Sequence, residues 1–344
     1  MTQDILKRYQ LDSQNSGSRR YLKEDSSHHN RDLPVVLSFV RQKDVIMRVL
    51  SGRATVYTDD SPELKTVLPE VTVAFCYGKL SRLNEMSNLK MIQAATAGVD
   101  GLPWRDIPEH VIVCGNPGSN ADAVAEHAWA LILCEAHNLH THISNLKNGV
   151  FDMAPGISIL AGKTIGIIGL GAVGRRISEI ASVFQMRTLA VNKSGQSSRN
   201  CDFIGGPQDV DYVLKRSDVV VLSLPLTKTT RGMIDSRRLD LLQKSCIFVN
   251  MGRAELVKRD DFVNFLKRNP EFRVATDVWW NASEDYPKDA VLMKYANFIG
   301  TPYVAGGLGN SEIMRSMQTE AAMNVVRYLA GEKPRNIIDR SEYI

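Results

Sequence analysis

Beyond about residue 34 the chain alternates short, nearly continuous apolar runs with longer stretches whose apolar positions recur every three to four residues. PVVLSFV, TVAFCY and KMIQAA are runs of the first kind, too uniformly apolar to keep one wet face, and they predict strands of a parallel sheet covered on both sides. Residues 120–136 (NADAVAEHAWALILCEA) open on an Asn and are apolar on most faces, which predicts a long helix buried between layers or domains. The strand pattern then restarts. KTIGIIGLGAVGRRISEIASVF reads as strand, glycine-rich turn and helix, and RTLAVN, SDVVVLSL, SCIFVNMG, RVATDVW and NFIGTP follow as further strands. Alternation of this kind predicts an α/β fold with a doubly wound parallel sheet. A last helix over residues 311–330 starts at Ser311 and is stopped by Gly331 and Pro334. Residues 12–33 are polar and Ser-rich without apolar periodicity, so residues 1–33 are expected to form a flexible extension.

A length of 344 residues accommodates two ordinary domains, and 44% hydrophobic with 23% charged residues is the composition of a globular protein. No run approaches the roughly 18 apolar residues of a membrane span. A formal charge of +4 argues against nucleic acid as a partner and leaves room for one local anionic ligand. Cys76, Cys114, Cys134, Cys201 and Cys246 are odd in number and widely spaced, and MTQDILKRYQ lacks an apolar signal core; together these predict a reduced, cytoplasmic protein. The seven histidines all lie at or before position 142.

Gly169, Gly171 and Gly174, with Leu170, Ala172 and Val173 between them, form GLGAVG directly after the strand TIGII and open a helix. That context suits a dinucleotide: the first glycine permits the tight turn, the second lets backbone approach a pyrophosphate, and the third allows close packing of helix on strand. The acidic residue that would take the ribose hydroxyls of NAD is absent from the end of the next strand. Asn192, Lys193 and Ser194 stand there, followed by Ser197, Ser198 and Arg199. Amide, hydroxyl and cationic groups suit a 2′-phosphate, so NADP(H) is expected over NAD(H). The plainer alternative is a polar turn in an NAD enzyme.

The order VAEH (124–127), GLGAVG, LPLTKTTRGMI (224–234), VNMGRAELV (249–257), TDVWW (276–280) and GTPYVAGG (300–307) resembles the D-isomer-specific 2-hydroxyacid dehydrogenases over roughly residues 34–340. The resemblance implies two Rossmann-like domains, with a dinucleotide-binding domain over 135–307 inserted into a discontinuous substrate domain over 34–134 and 308–344. It implies hydride transfer between nicotinamide and C2 of a 2-oxo or 2-hydroxy acid, with reduction of a glyoxylate- or hydroxypyruvate-like acid favoured. Arg253 matches the arginine that holds the carboxylate and polarises the carbonyl, a task its planar fork suits. Asn120 matches a substrate-orienting position, and the backbone of Thr96, Ala97 and Gly98 and of Tyr77 and Gly78 resembles the carboxylate cradle. Leu224, Pro225, Thr230, Met251, Gly252 and Asp277 fall where the cofactor lies, Asp277 near the carboxamide. A homodimer is implied, with residues 138–160 reaching over the partner.

One part of the pattern is broken. Where the family has its acid–base His this chain has Tyr303, and where the supporting Glu is expected it has Ala282. Three readings follow. Tyr303 supplies the proton, as a phenol protonated at neutral pH can; or Glu284, Lys294, His127 or a water does; or the chain binds dinucleotide as a sensor or corepressor-like protein with little turnover. TDVWW also resembles formate dehydrogenases, without their usual Gln and His partners, and Trp279 and Trp280 are expected as bulk at the domain cleft. His137, His140 and His142 with Cys134 read as the polar end of a helix rather than a metal site.

Overall fold

The computed structural model describes residues 33–40, 43–154, 156–196, 201–307 and 309–344. The extension expected over 1–33 lies, apart from Leu33, outside the described residues, as do Ser197, Ser198 and Arg199. Leu33–Ile344 forms one compact unit. Within it, β1 (Val35–Ser38), β2 (Thr55–Thr58), β3 (Val71–Cys76), β4 (Met91–Ala94) and β5 (Ile112–Cys114) make a five-stranded sheet in the order 2-1-3-4-5. A second sheet holds β6 (Thr164–Ile168), β7 (Arg187–Val191), β8 (Phe203–Gly205), β9 (Val219–Leu222), β10 (Ile247–Asn250), β11 (Arg273–Thr276) and β12 (Phe298–Gly300) in the order 12-11-10-9-6-7-8. Every strand pairing is parallel, as in β6 on β7 and β9. The uniformly apolar runs are therefore explained: Val219 to Leu222 and Ile247 to Asn250 are buried at every position because helices cover both faces.

Both flanks of the second sheet build the first domain. Helix α1 (Lys43–Leu50) packs against a late helix over Ser311–Leu329, whose Ala321, Ala322 and Val325 share a core with Val36, Val73 and Phe75. Beyond that helix Ile337 forms an antiparallel bridge to Cys114. The helix starts at Ser311 as expected, and Asn310 before it supplies the cap, its side chain accepting from the amides of Glu312 at 3.0 Å and Ile313 at 3.1 Å.

Helix α2 (Ala121–Ala136) is buried as expected, and its Ala125, Ala128, Trp129 and Ile132 join the core of the second sheet, so that core draws on residues ahead of 135. Asn120 stands at the N-cap of α2, but its side chain makes no capping hydrogen bond. A short exposed helix, α3 (Leu139–Lys147), follows and buries none of its residues. No helix among the described residues is long and apolar enough to cross a membrane.

Candidate active site

The second sheet reverses direction between β6 and β9: β7 lies on one side of β6, and β9 to β12 on the other. Loops leaving β6 and β9 therefore diverge and open a crevice at the carboxyl ends of the strands. Gly169 ends β6 with φ +110°, a conformation that L side chains avoid, and any Cβ there would press on Leu224 at 2.8 Å. Its carbonyl accepts from Ser223 Oγ at 2.8 Å, stitching the β6 loop to the β9 loop. Helix α4 (Ala172–Val183) begins at Gly171 with no side-chain cap, and a Cβ on Gly171 would meet nothing within 4 Å. The amino end of α4 is thus open at Gly171, and the positive end of the helix there fits a pyrophosphate. Gly174 packs directly on the Gly169 carbonyl, where a side chain would overlap it. Leu170 is buried in the core beneath.

The neighbouring loops are braced in the same way. Thr230 Oγ1 donates to the Pro225 carbonyl at 2.7 Å and accepts from the Thr227 amide at 2.8 Å. Asn250 accepts from the Gly252 amide at 3.1 Å and donates to the Arg253 carbonyl at 2.9 Å, and the Met251 amide donates to Leu222 at 2.9 Å. At the end of β7, Asn192 Nδ2 donates to the Gln196 carbonyl at 2.7 Å and Ser194 Oγ to the same oxygen at 3.1 Å, so both are engaged within the turn. Lys193 points outward and donates to Glu342 Oε1 at 2.5 Å.

Arg253 brings this crevice to the first domain. Its Nε donates to both carboxylate oxygens of Asp100, at 3.2 and 3.3 Å, and Nη1 to the Gly252 carbonyl at 2.9 Å. Its Nη2 lies on Gly98, whose missing side chain makes the room: a Cβ there would overlap the guanidinium. Thr96 Oγ1 donates to the Gly98 carbonyl at 3.0 Å, Gly78 packs against that same carbonyl, and Ala97 lies between them. Thus Arg253 and the Thr96, Ala97, Gly98 and Gly78 backbone are brought together. The Tyr77 side chain is not part of this group; its hydroxyl accepts from Gln318 Nε2 at 2.9 Å. Asn120 Nδ2 donates to the Gly306 carbonyl at 3.3 Å, tying the start of α2 to the loop that carries Tyr303.

That loop is held from below by Asp277, one of whose carboxylate oxygens accepts from Thr301 Oγ1 at 2.7 Å and the Val304 amide at 2.9 Å, the other from the Ala305 amide at 2.9 Å. Asp277, expected near the cofactor's carboxamide, thus also organises this loop. His127 Nε2 lies 2.8 Å from Thr301 Oγ1 and 3.9 Å from Asp277. Because the one hydroxyl proton of Thr301 goes to Asp277, His127 must donate, which fixes its Nε2–H form.

The Asp277 bonds hold Tyr303 at φ +57°, a left-handed conformation that a bulky residue adopts only under restraint. Its hydroxyl donates to the Trp279 carbonyl at 2.8 Å and accepts from the Trp279 amide at 3.1 Å. Burial pushes the phenol above its ordinary value; the bond to Trp279 and the nearby Arg253 act the other way, and Glu255 and Asp100 add to the rise. Tyr303 is therefore a protonated group at neutral pH. Ala282, Glu284 and Lys294 are all exposed.

Trp279 and Trp280 do not line the cleft as expected. The Trp279 indole is 5% exposed and donates to the Thr301 carbonyl at 2.8 Å, beneath the Tyr303 loop, and Trp280 donates to the Val257 carbonyl at 3.0 Å. The sequence analysis did not single out Asp100 and Thr301, which the structure sets against Arg253 and Asp277, although Thr301 lies within GTPYVAGG and Asp100 directly follows TAGV.

The family model described as D-isomer specific 2-hydroxyacid dehydrogenase, NAD binding domain, matches residues 129–305. The chain belongs to the D-isomer-specific 2-hydroxyacid dehydrogenase family. Among its relatives, D-3-phosphoglycerate dehydrogenase of Methanocaldococcus jannaschii is 30% identical over 264 residues, a match covering 75% of this chain and 49% of that longer protein. Glyoxylate reductase of Aeropyrum pernix is 28% identical over 267 residues, covering 75% of this chain and 78% of the relative. A crystal structure from Pyrobaculum aerophilum, provisionally named a formate dehydrogenase, superposes with a TM-score of 0.77 at 32% identity, covering 91% of this chain and all of that one (100%). Members of this dehydrogenase family share the two parallel-sheet α/β domains described above, and the glycine crevice lies within the matched domain.

Proposed function

We propose that this chain is a 2-oxo acid reductase, with a small glyoxylate- or hydroxypyruvate-like acid as substrate, a D-2-hydroxy acid as product and NADP(H) preferred. The observation that carries the reading is the seat of Arg253: its guanidinium lies on Gly98 of the first domain while its backbone closes the dinucleotide crevice of the second. The cofactor, when bound, supplies the hydride. Asp100 occupies Nε of Arg253 and sets the plane of the fork, leaving Nη2 to bind a carboxylate and polarise the adjoining carbonyl. The amino end of α4 and the Gly171 turn would hold the pyrophosphate, and Lys193, in the absence of an acid at the end of β7, would meet a 2′-phosphate.

Tyr303 is the proposed acid: to protonate the nascent alkoxide it turns its O–H from the Trp279 carbonyl to the substrate oxygen, giving up its proton beside Arg253. Because burial raises its pKa, the acid stays charged with its proton through the neutral range, and kcat for reduction is expected to stay flat there and to fall only above the ordinary phenol value of about 10. Tyr303→Phe should lower kcat by about 10² to 10⁴ with a smaller change in KM. NADPH and NADH consumption with glyoxylate, hydroxypyruvate and pyruvate tests both points; full activity in Tyr303→Phe would pass the role to another group, with His127 and its bond to Thr301 the first to try. A second reading, a dinucleotide-binding sensor with little turnover, is favoured by the two hydrogen bonds that engage the Tyr303 hydroxyl with Trp279, and reduction of none of these acids by either protein would favour it over the first.

A homodimer through α3 and the segment after it is also proposed, on the support of an apolar face in which Phe151 and Met153 are 83% and 84% exposed beside Leu146, Ile157 and Ile159. The five free cysteines support a reducing, cytoplasmic setting.

A further inference from the structure

After the Ser311–Leu329 helix the chain runs along β5, the Ile338 amide donating to the Val113 carbonyl at 2.8 Å, and then forms a short turn over Arg340–Glu342. This turn is anchored to the first domain. Arg340 donates to the carbonyls of Pro108 at 2.8 Å and Ile107 at 2.6 Å, Asp339 accepts from the Ser341 amide at 2.9 Å, and the Tyr343 ring stacks on Trp104 with centroids 4.5 Å apart. From that platform residues 342–344 reach the second domain at two loops. Lys228, in the loop after β9, donates its amide to the Glu342 carbonyl at 2.9 Å and its ammonium to the Ile344 oxygen; Lys193, in the loop after β7, pairs with the Glu342 carboxylate at 2.5 Å.

These two loops flank the glycine turn of β6, which lies between β7 and β9 in the sheet. A pyrophosphate on the first amides of α4 puts the adenosine ribose of a dinucleotide beside the end of β7. The segment therefore bridges the crevice at its ribose end. It brings there the carboxylate that the β7 loop itself lacks.

We propose that Glu342 is a cofactor-discriminating residue supplied by the substrate domain: without ligand it holds Lys193, and a 2′-phosphate must displace it to gain that ammonium. The inference rests on the dinucleotide reading above. Its sign follows from charge alone, since a carboxylate beside a phosphate opposes binding while it neutralises a cation the phosphate would use. A 2′-hydroxyl meets no such opposition. The pair is exposed, with Lys193 at 81% and Glu342 at 31% side-chain exposure, so the effect is modest and salt-sensitive.

Calorimetric titration of the full chain with 2′-AMP, 5′-AMP, NADPH and NADH tests it, for the unaltered protein, Glu342→Gln, Lys193→Gln and the double variant. Glu342→Gln should tighten 2′-AMP and NADPH by about two- to fivefold, an effect shrinking as salt rises, and leave 5′-AMP and NADH little changed. In the Lys193→Gln background most of that gain should disappear, because the two side chains act through one contact. Equal changes for nucleotides with and without the 2′-phosphate, or no change, would overturn the proposal. The broader NADP(H) reading fails separately, by tighter binding of NADH than NADPH in the unaltered protein, and the ratio shift in Glu342→Gln is read independently of it.

Discussion

Arg253 has one side face on a residue without a side chain, and this makes Gly98 sensitive to any substitution. A Gly98→Ala change puts a methyl group where Nη2 now lies, and the guanidinium must leave its place against Asp100. Loss of kcat/KM for a 2-oxo acid by about 10² is expected, comparable with a 1 Å displacement of a substrate-positioning group; dinucleotide binding, measured by calorimetry, should change little because the glycine crevice is untouched. At this scale the sequence was partly legible. Arg253, the glycine turn and Asn120 stand inside motifs with recognisable neighbours. Their partners do not: Asp100 lies 153 positions from Arg253 and Glu342 149 positions from Lys193, so only the folded chain brings them together. Trp279 was misplaced for a related reason, since a motif gives the position of a residue and not the direction its side chain takes.

Among the elements, α2 carries a buried carboxyl group without a hydrogen-bond partner among the described residues. Glu135, near its end, is fully buried, and neither carboxylate oxygen has a hydrogen-bond partner. Burial pushes its pKa up to about 7, against the pull of Arg273. The sign is that of an acid that prefers its proton when folded: the stability associated with the neutral form is fully present below the ordinary value of 4.5 and is lost as pH rises through about 7. Glu135→Gln should therefore raise Tm at pH 8, with little change at pH 4.5, and flatten the pH dependence of stability between them; thermal unfolding followed by circular dichroism measures it. Strand legibility also has an element-scale cause. The runs found in the sequence are mostly interior strands, apolar at every position because both faces are covered. Those missed, β2, β5 and β8, are short strands of three or four residues at the ends of the two strand orders, too brief to stand out as apolar runs.

For the whole molecule, the exposed apolar residues after α2 make the strongest statement about assembly. Phe151→Asp, or the same change at Met153, should shift a dimer toward monomer in size-exclusion chromatography with light scattering at micromolar concentration, because each replaces an exposed apolar side chain with a charge that an interface would have to desolvate. A protein that runs as a monomer before substitution would remove the dimer proposal. The division into two sheets was legible from the restart of the strand pattern, whereas the bridge from Arg340 to Ile344 across the crevice was not, since polar residues in irregular segments carry no periodicity.

The discontinuous build of the first domain also sets a timetable. During synthesis the strands β1 to β5 emerge early, yet the face that covers Val36, Val73 and Phe75 is completed only when Ala321, Ala322 and Val325 have been made, and β5 waits longer for Ile337. The seven strands from Thr164 to Gly300 are contiguous and need nothing later in the chain for their pairing. The nascent protein thus carries an unfinished apolar sheet past the folding of a finished one, and the segment over residues 33–114 is where a chaperone would find its substrate.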